Sequence, residues 1–453
     1  PRAVFRMQRV SMTQAATTQA SHDPRKLAAV RTLIQGLAGQ LNAPVRVRLW
    51  DGSLEPLGED VTGDLEIAIS GPGVIGAILR RPTLDNIIRH YIDKRIDFSG
   101  GTLIDLGRAF DRDGRAVSMR KFSRLDMLRQ LSPFLFTPAE APPDAHGFDG
   151  EISGRAQSRR DNKAFVQFHY DISNDFYELF LDPEMVYSCA YFTDWDNDLA
   201  QAQHDKLEMI CRKLRLKPGD RFLDVGSGWG GLVCHAVQHH GVTAHGITLA
   251  EEQLEYAREK VARLGIADRV TFELTDYANV SGSYDKIASI GMYEHIGLKN
   301  IPGYMRKMRA LLSDDGLFLN HAISRRAPKP SRLGRRWRPE QRAIAKYIFP
   351  GGELDDVGRS VTAMERAGFE VHDVEGWRRH YARTCEIWCR TLTDRREAAI
   401  AEVGEDKYRI WVAYLAGVSL AFSRGTLRIF QTLASKNPKR PPPLPPTRAD
   451  LYR

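Results

Sequence analysis

Phe222 to Gly231, FLDVGSGWGG, places an acidic residue, Asp224, and four glycines at the end of an apolar run. Glycine has no Cβ, so Gly226, Gly228, Gly230 and Gly231 let the backbone come close to a ligand that a side chain would strike. The spacing meets G-x-G-x-x-G only approximately, and no lysine follows as a P-loop demands, so phosphate cradling is disfavoured. Ser227 adds a hydroxyl to the same turn. Polar residues recur beyond it: Thr248 and Gln253 after GITLA, and Asp276 closing RVTFELTD. Singly, each is an ordinary strand terminus. At successive strand ends they supply partners for ribose hydroxyls and an adenine amine, which an adenosyl ligand requires. A nicotinamide dinucleotide is the rival, because Glu251 and Glu252 lie roughly twenty positions past the glycines. Acidic residues at that point also suit a helix start.

For such residues to converge, the chain around them must alternate strands and helices. Residues 161–436 do so: RFLDVGSG, TAHGITLA, RVTFELTD, YDKIASIG and GLFLNHAI read as strands, separated by amphipathic runs such as EEQLEYAREKVARLG. That pattern predicts a doubly wound α/β sheet with its ligand outside the carboxyl ends of the strands, in the class I S-adenosylmethionine (SAM) methyltransferase layout. Residues 24–136 mix a helical start, KLAAVRTLIQGLAGQL, with strand-like VRVRLWDGS and DLEIAIS, which predicts a smaller N-terminal α+β domain. That domain either presents lipid, pairs two copies as a homodimer, or simply packs. Residues 137–160 read as a Pro/Gly/Ala-rich linker, and 1–23 and the proline-rich 437–453 as disordered ends.

Of 453 residues, 42% are hydrophobic and the formal charge is +8. No run reaches the roughly 18 apolar residues of a membrane span, so any membrane contact is expected to be peripheral. The charge fits an anionic membrane surface or a nucleic acid, but the interleaved aromatic and basic platform of a nucleic-acid module is missing, so nucleic acid is not expected. Five cysteines, Cys189, Cys211, Cys234, Cys385 and Cys389, contain no C-x-x-C pair and no secreted framework, which predicts a reducing cytoplasm and no metal site.

Beyond the glycine turn, HYDISNDFYELFLDPEMVYSCAYF (169–192), SIGMYEHIG (289–297), LNHAI (319–323), YIFPGG (347–352) and HYARTCEIW (380–388) follow in order. Together with FLDVGSGWGG they closely resemble successive blocks of the cyclopropane fatty acid synthases and mycolic acid cyclopropane synthases. WDGS and DFSGG resemble that family's upstream domain more faintly. The resemblance implies attack of an alkene on the sulfonium methyl of SAM, then proton loss from a carbocation as a ring closes. The residues supply alignment, a dry pocket and a base. In the family a bicarbonate ion is that base, and its holders map to the Glu294, His321 and Tyr381 side chains and to the Cys189 and Ile323 backbone N–H groups. Tyr187, Ser188, Asp224, Gly226, Ser227, Gly228, Thr248, Gln253 and Asp276 map to cofactor contacts. Tyr170, Phe192 and Tyr293 either face a cation through their rings or pack in the core.

Two features depart from the family pattern. Ser227 stands where the family usually has cysteine. The stretch 324–342 is strongly basic, with Arg325, Arg326, Lys329, Arg332, Arg335, Arg336, Arg338 and Arg342 around Trp337. It is either a solvated loop or a patch that grips anionic headgroups. The implied activity is cyclopropanation of unsaturated phospholipid acyl chains at the inner face of the membrane. Methyl-branched or otherwise methylated lipids, and a small-molecule N-methyltransferase, are the alternatives.

Overall fold

Strand β5, Arg221–Val225, is buried at four of its five positions and shows how the larger part of the chain is layered. Phe222 joins an apolar cluster with Leu207, Ile210, Val233 and Val237, while Leu223 and Val225 join another with Ile287, Tyr304 and Met308. Alternate residues of a strand face opposite sides, so the sheet must be covered by helices on both faces. This computed structural model describes residues 23–111, 132–134, 137–138, 172–327, 346–348, 352–436 and 444–452. The chain divides into two compact units.

The first unit draws its described residues from 23–138 and 409–413. It contains α1 (Pro24–Leu41), β1 (Arg46–Arg48), β2 (Leu54–Pro56), β3 (Glu66–Ile69), α2 (Pro72–Arg80), α3 (Leu84–Ile92), β4 (Ile96–Ser99) and α4 (Leu103–Ala109). Asp23 caps α1, accepting from the Arg25 N–H, with a proline in the first turn. The sheet order is β2-β1-β3-β4; β1 and β3 run parallel, the other pairs antiparallel. Val30, Ile34, Val45, Val47 and Leu49 fill its core.

The second unit opens with α5 (Asn174–Glu178), α6 (Leu199–Leu214), β5, α7 (Gly231–His240), β6 (Thr243–Thr248), α8 (Glu251–Arg263) and β7 (Val270–Leu274). It continues with β8 (Tyr284–Ile290), α9 (Tyr293–Ile296), α10 (Ile301–Leu311), β9 (Leu312–Arg325), α11 (Val357–Arg366) and β10 (Phe369–Gly376). Helices α12 (Arg378–Asp394), α13 (Arg396–Val403) and α14 (Glu405–Ser423) and strand β11 (Leu427–Lys436) complete it, apart from 409–413. The seven strands run β10-β11-β9-β8-β5-β6-β7. Strands β5 to β9 are parallel, and β11 is antiparallel to both neighbours. After β5 the chain builds outward through β6 and β7, then returns to lay β8 on the other side of β5. The crevice at that reversal is where an open α/β sheet binds its ligand.

The proline-rich tail differs from the disorder expected of it. Ala449–Tyr452 form a 3₁₀ turn, Leu451 is 1% exposed, Arg448 pairs with Asp373, and Arg215 meets Asp450 at 3.2 Å. Composition predicts the lack of long elements, but one leucine and two charges suffice to dock a short extended piece. Residues 1–22, 437–443 and all of the expected linker beyond 138 lie outside the described residues. Among the described residues no helix is long and apolar enough to cross a membrane, and all five cysteines are buried thiols.

Candidate active site

The turn after β5 is held open by its own backbone. Gly226 (φ +85°), Gly228 (φ +54°) and Gly230 (φ +82°) occupy the left-handed region that disfavours other residues, and the N–H groups of Gly226 and Ser227 both donate to the Ile247 carbonyl at 3.0 and 2.9 Å. A Cβ on Gly226 would lie 2.5 Å from Met292 Cγ, whereas one on Gly228 would enter open space within the cavity.

One cavity at the carboxyl ends of β5, β6 and β8 is lined by all fourteen residues singled out in the sequence. Tyr187, Ser188 and Cys189 come from the loop before α6; Asp224, Gly226, Ser227 and Gly228 from the β5 turn; Thr248 and Gln253 from β6 and α8. Asp276 follows β7, Glu294 sits on α9, His321 and Ile323 on β9, and Tyr381 on α12. The Thr248 hydroxyl donates to Gln253 Oε1 at 3.0 Å, and Asp276 Oδ1 accepts the Ala278 N–H at 2.8 Å, so both positions are fixed locally. Of the aromatic candidates, Phe192 stacks on Trp195 and His380, and Tyr293 belongs to the core; neither lines the cavity. Tyr170 lies outside the described residues. The rings that do line the cavity are Tyr187, Trp229, Tyr277, Tyr381 and Tyr414.

The sequence reading missed Lys206. Helix α6 clamps the 186–189 loop: Gln203 Nε2 donates to the Val186 and Ser188 carbonyls at 3.1 and 3.0 Å, and Lys206 Nζ donates to Ser188 Oγ at 3.0 Å. Burial lowers the Lys206 pKa to about 8 and raises that of Asp224 to about 7, with each charge partly restoring the other. Asp224 Oδ1 is buried and has no hydrogen-bond partner, so an acceptor waits beside the glycine turn. The signal was available: Ala202, Lys206, Met209 and Lys213 recur along the buried stripe of α6, where lysine is out of place.

A second set of groups surrounds His321. In the sheet, Glu375 on β10 pairs with Gln431 on β11, and Gln431 pairs with His321 on β9, so the three side chains form a row across three strands. Lys213 reaches this row from α6, pairing with Glu375 and donating to Gln431 Oε1 at 2.7 Å. Lysine can only donate, so the other end of the Gln431 amide, Nε2, is the group 3.1 Å from His321 Nδ1, and it donates there. His321 is therefore unprotonated at Nδ1. Burial holds its pKa well below the ordinary value, so the ring is neutral and carries its proton on Nε2. That N–H is buried, without a partner, on a residue lining the cavity.

Burial also raises the pKa of Glu294 to about 7, against the backbone N–H groups of Glu294 and Ile323, which favour its ionised form. The Ile323 N–H, expected to face a bound ion, thus lies against Glu294 here. Glu294 Oε2 has no partner. Burial pushes the Cys189 and Tyr381 pKa values well up, and the Cys189 thiol donates to the Ala190 carbonyl at 3.3 Å. Cys189 is a protonated thiol, not a nucleophile.

Comparison with known proteins decides what this site belongs to. The model of the mycolic acid cyclopropane synthetase family matches residues 157–432. The chain belongs to that family. A probable fatty acid methyltransferase of Pseudomonas putida is 36% identical over 91% of this chain and 97% of its own length. The cyclopropane-fatty-acyl-phospholipid synthase of Escherichia coli is 37% identical over 59% of this chain and 66% of its own. Among solved structures, the cyclopropane synthase MmaA2 of Mycobacterium tuberculosis superposes with a TM-score of 0.57 at 30% identity, covering 60% of this chain and 98% of that one. The mycolic acid cyclopropane synthase CmaA1, solved with SAH and CTAB, gives 0.56 at 32%, over 60% and 98%. This cyclopropane-synthetase family member is a SAM-dependent methyltransferase with the class I fold. The cavity suits SAM: positive-φ glycines line an open cradle, and Asp224 offers a buried acceptor without a partner.

Two outcomes follow. Gly228→Val fills the cradle at a left-handed position and abolishes SAM binding measured by calorimetry, with the circular dichroism spectrum retained. Gln431→Leu frees the His321 tautomer, lowering turnover by roughly tenfold or more while the SAM dissociation constant stays within about twofold.

Proposed function

We propose that this chain transfers a methylene group from SAM to the double bond of an unsaturated phospholipid acyl chain, with bicarbonate held as the base. The observation that carries this reading is the pair of unfinished hydrogen bonds at Glu294 Oε2 and His321 Nε2, on residues that line one buried cavity with Tyr381 and Cys189. One N–H donor and one carboxylate acceptor suit a small anion that has both acceptor oxygens and one hydroxyl. The Tyr381 hydroxyl adds a donor. SAM, when bound, supplies the electrophilic methyl. The alkene's π pair forms the new C–C bond as the C–S bond breaks; the chain-borne cation then loses a proton from the added carbon, and the remaining pair closes the ring. Glu294 takes the hydroxyl hydrogen bond of the ion and raises its basicity, while His321 and Tyr381 orient it. Apolar walls such as Ile290, Leu249 and Ile429 keep water from capturing the cation.

The similarity to the probable fatty acid methyltransferase of P. putida over nearly the full length favours a second reading, in which the cation loses a neighbouring proton to leave a methyl-branched alkene instead of closing a ring. A base is required in either case.

A phospholipid substrate at an anionic membrane surface draws support from a second cavity, where Arg326, Arg378, Arg424 and Arg428 converge and no acidic residue is among the described lining. Arg378 is oriented by donating to the Phe422 and Ser423 carbonyls at 2.6 and 2.8 Å. Ile429 lines both cavities, so this basic pocket adjoins the cavity proposed to take the acyl chain. Of the basic stretch expected to grip headgroups, Arg325 turns inward, its Nε donating to the Leu354 carbonyl at 2.7 Å. Trp337 and residues 328–345 lie outside the described residues.

Lipids from cells expressing the chain gain 14 mass units per modified acyl chain under mass spectrometry, and proton NMR shows ring hydrogens; alkene-retaining branched chains would give the second reading. Turnover at saturating SAM falls as pH drops through about 7, where Glu294 becomes protonated and no longer accepts; Glu294→Gln lowers turnover and moves that limb down to the range in which bicarbonate itself is protonated. Arg326→Ala with Arg428→Ala weakens flotation with anionic vesicles by about 2 kcal/mol, roughly thirtyfold, and leaves neutral vesicles unaffected.

A further inference from the structure

On the face of the sheet unit carrying α6 and α7, a cluster of metal-capable side chains takes no part in the site above. His204, Glu208 and Cys211 follow one another at i, i+4 and i+7 along α6, a single stripe of that helix. Helix α7 sets His235, His239 and His240 against it, with ring centroids of His204 and His235 at 5.1 Å and of His235 and His239 at 4.5 Å. Cys211 Sγ and one ring nitrogen each of His235 and His240 all lie within 4.8 Å of one another. Glu208 Oε2 faces both rings, 3.2 Å from His235 Nε2 and 3.0 Å from His240 Nε2. Arg212 fixes the other carboxylate oxygen, Nε to Oε1 at 2.7 Å.

We propose that Cys211, His235 and His240, joined by Glu208, form a site for a zinc-class divalent ion that staples α6 to α7. One soft thiolate, two imidazoles and a carboxylate are the donor set of a four-coordinate zinc site. With bonds of about 2.0–2.3 Å, tetrahedral ligands sit roughly 3.3–3.8 Å apart, so the side chains need draw in by about an ångström. The depth is graded: Cys211 is fully buried and His235 is 6% exposed, whereas the His240 and Glu208 side chains are 17% and 25% exposed, which leaves an entry path from solvent. On binding, the ion replaces the Cys211 proton, which leaves to solvent, and each imidazole ligates through one nitrogen while the other keeps its proton. No oxidation is involved. Arg212 then holds the ligating carboxylate as an outer partner.

The sequence hides this site because its ligands come from two helices, more than twenty residues apart, with no C-x-x-C spacing. Its consequence is mechanical. Helix α6 bears Lys206 and Lys213, and α7 begins at the glycine turn, so an ion between them braces the two supports of the cofactor cavity without touching it.

The test uses the full-length chain without a polyhistidine tag, stripped with a chelator and titrated with Co²⁺. One equivalent is expected to give the intense visible bands of tetrahedral cobalt and a thiolate-to-cobalt charge-transfer band, and Zn²⁺ raises the melting temperature. Removing an outer partner alone costs about 10–100-fold in metal affinity, so Cys211→Ala and His240→Gln each weaken binding by at least about 100-fold. Cys211→Ala also loses the charge-transfer band. His240→Gln, at the rim, separates loss of the ligand from loss of folding. The exposed pair His204→Gln with His239→Gln leaves binding unchanged. An octahedral cobalt spectrum without the charge-transfer band, or tight binding retained in His240→Gln, would overturn the site.

Discussion

The second unit depends on hydrogen-bonding capacity buried and left unused at one place. Asp224 Oδ1, Glu294 Oε2 and His321 Nε2 all lie out of reach of water without a hydrogen-bond partner, on residues that line a single cavity. Each such group costs on the order of 1–3 kcal/mol, so the fold sustains several kcal/mol of local penalty. The apolar clusters on both faces of the sheet supply the offset. The penalty is recovered when ligands complete the bonds, which is how a rigid site can bind an adenosyl cofactor and, on the proposed reading, a small anion without rearranging. The same burial moves Asp224 and Glu294 to pKa values of about 7, so protonation and ligand binding are coupled.

Rigidity around His321 comes from the sheet itself. The row Glu375, Gln431, His321 exists because β11 runs antiparallel between β10 and β9 and brings these residues into register. Lys213 then removes the ambiguity of the amide, since its ammonium can only donate to Gln431 Oε1. A buried Lys–Glu pair is weak evidence for stability on its own. Here it has a further effect, because it dictates which nitrogen of His321 carries the proton. The antiparallel strand at the edge of the parallel sheet is thus part of the active-site apparatus, not an ornament on it.

Much of this was legible in the residues. FLDVGSGWGG and the strand-end residues Thr248, Gln253 and Asp276 are local patterns whose positions follow from the period of strands and helices, whereas the blocks around Cys189, Glu294, His321 and Tyr381 stand out through their resemblance to the cyclopropane synthases. They converge on one cavity because consecutive parallel strands end on one side. What stayed hidden depends on pairing between distant segments. Gln431 and Glu375 carry no local signal, since their value lies in the β9-β11-β10 register; Lys206 and Lys213 do leave one, as lysines on the buried stripe of α6. For Phe192 and Tyr293, where both a cation-facing and a packing role were open, the packing role holds: Phe192 stacks on Trp195 and His380, and Tyr293 lies in the core.

If bicarbonate is the bound base, as proposed, the position of the Ile323 N–H gives its site a way to discriminate. Before an ion arrives, that donor helps keep Glu294 ionised, so the carboxylate is neither fully paired nor fully isolated. An anion bearing a hydroxyl, as bicarbonate does on the proposed reading, offers Glu294 a donor of its own and releases the Ile323 N–H to the ion's oxygens. An anion without a hydroxyl makes no such exchange: it takes the donors and sets a negative charge beside the Glu294 carboxylate in a low-dielectric pocket, where repulsion between like charges is strong. Selectivity for a protonated oxyanion would then come from Glu294, the acceptor set beside the His321 and Tyr381 donors, and on the proposed reading the same carboxylate makes the bound ion more basic toward the hydrocarbon cation.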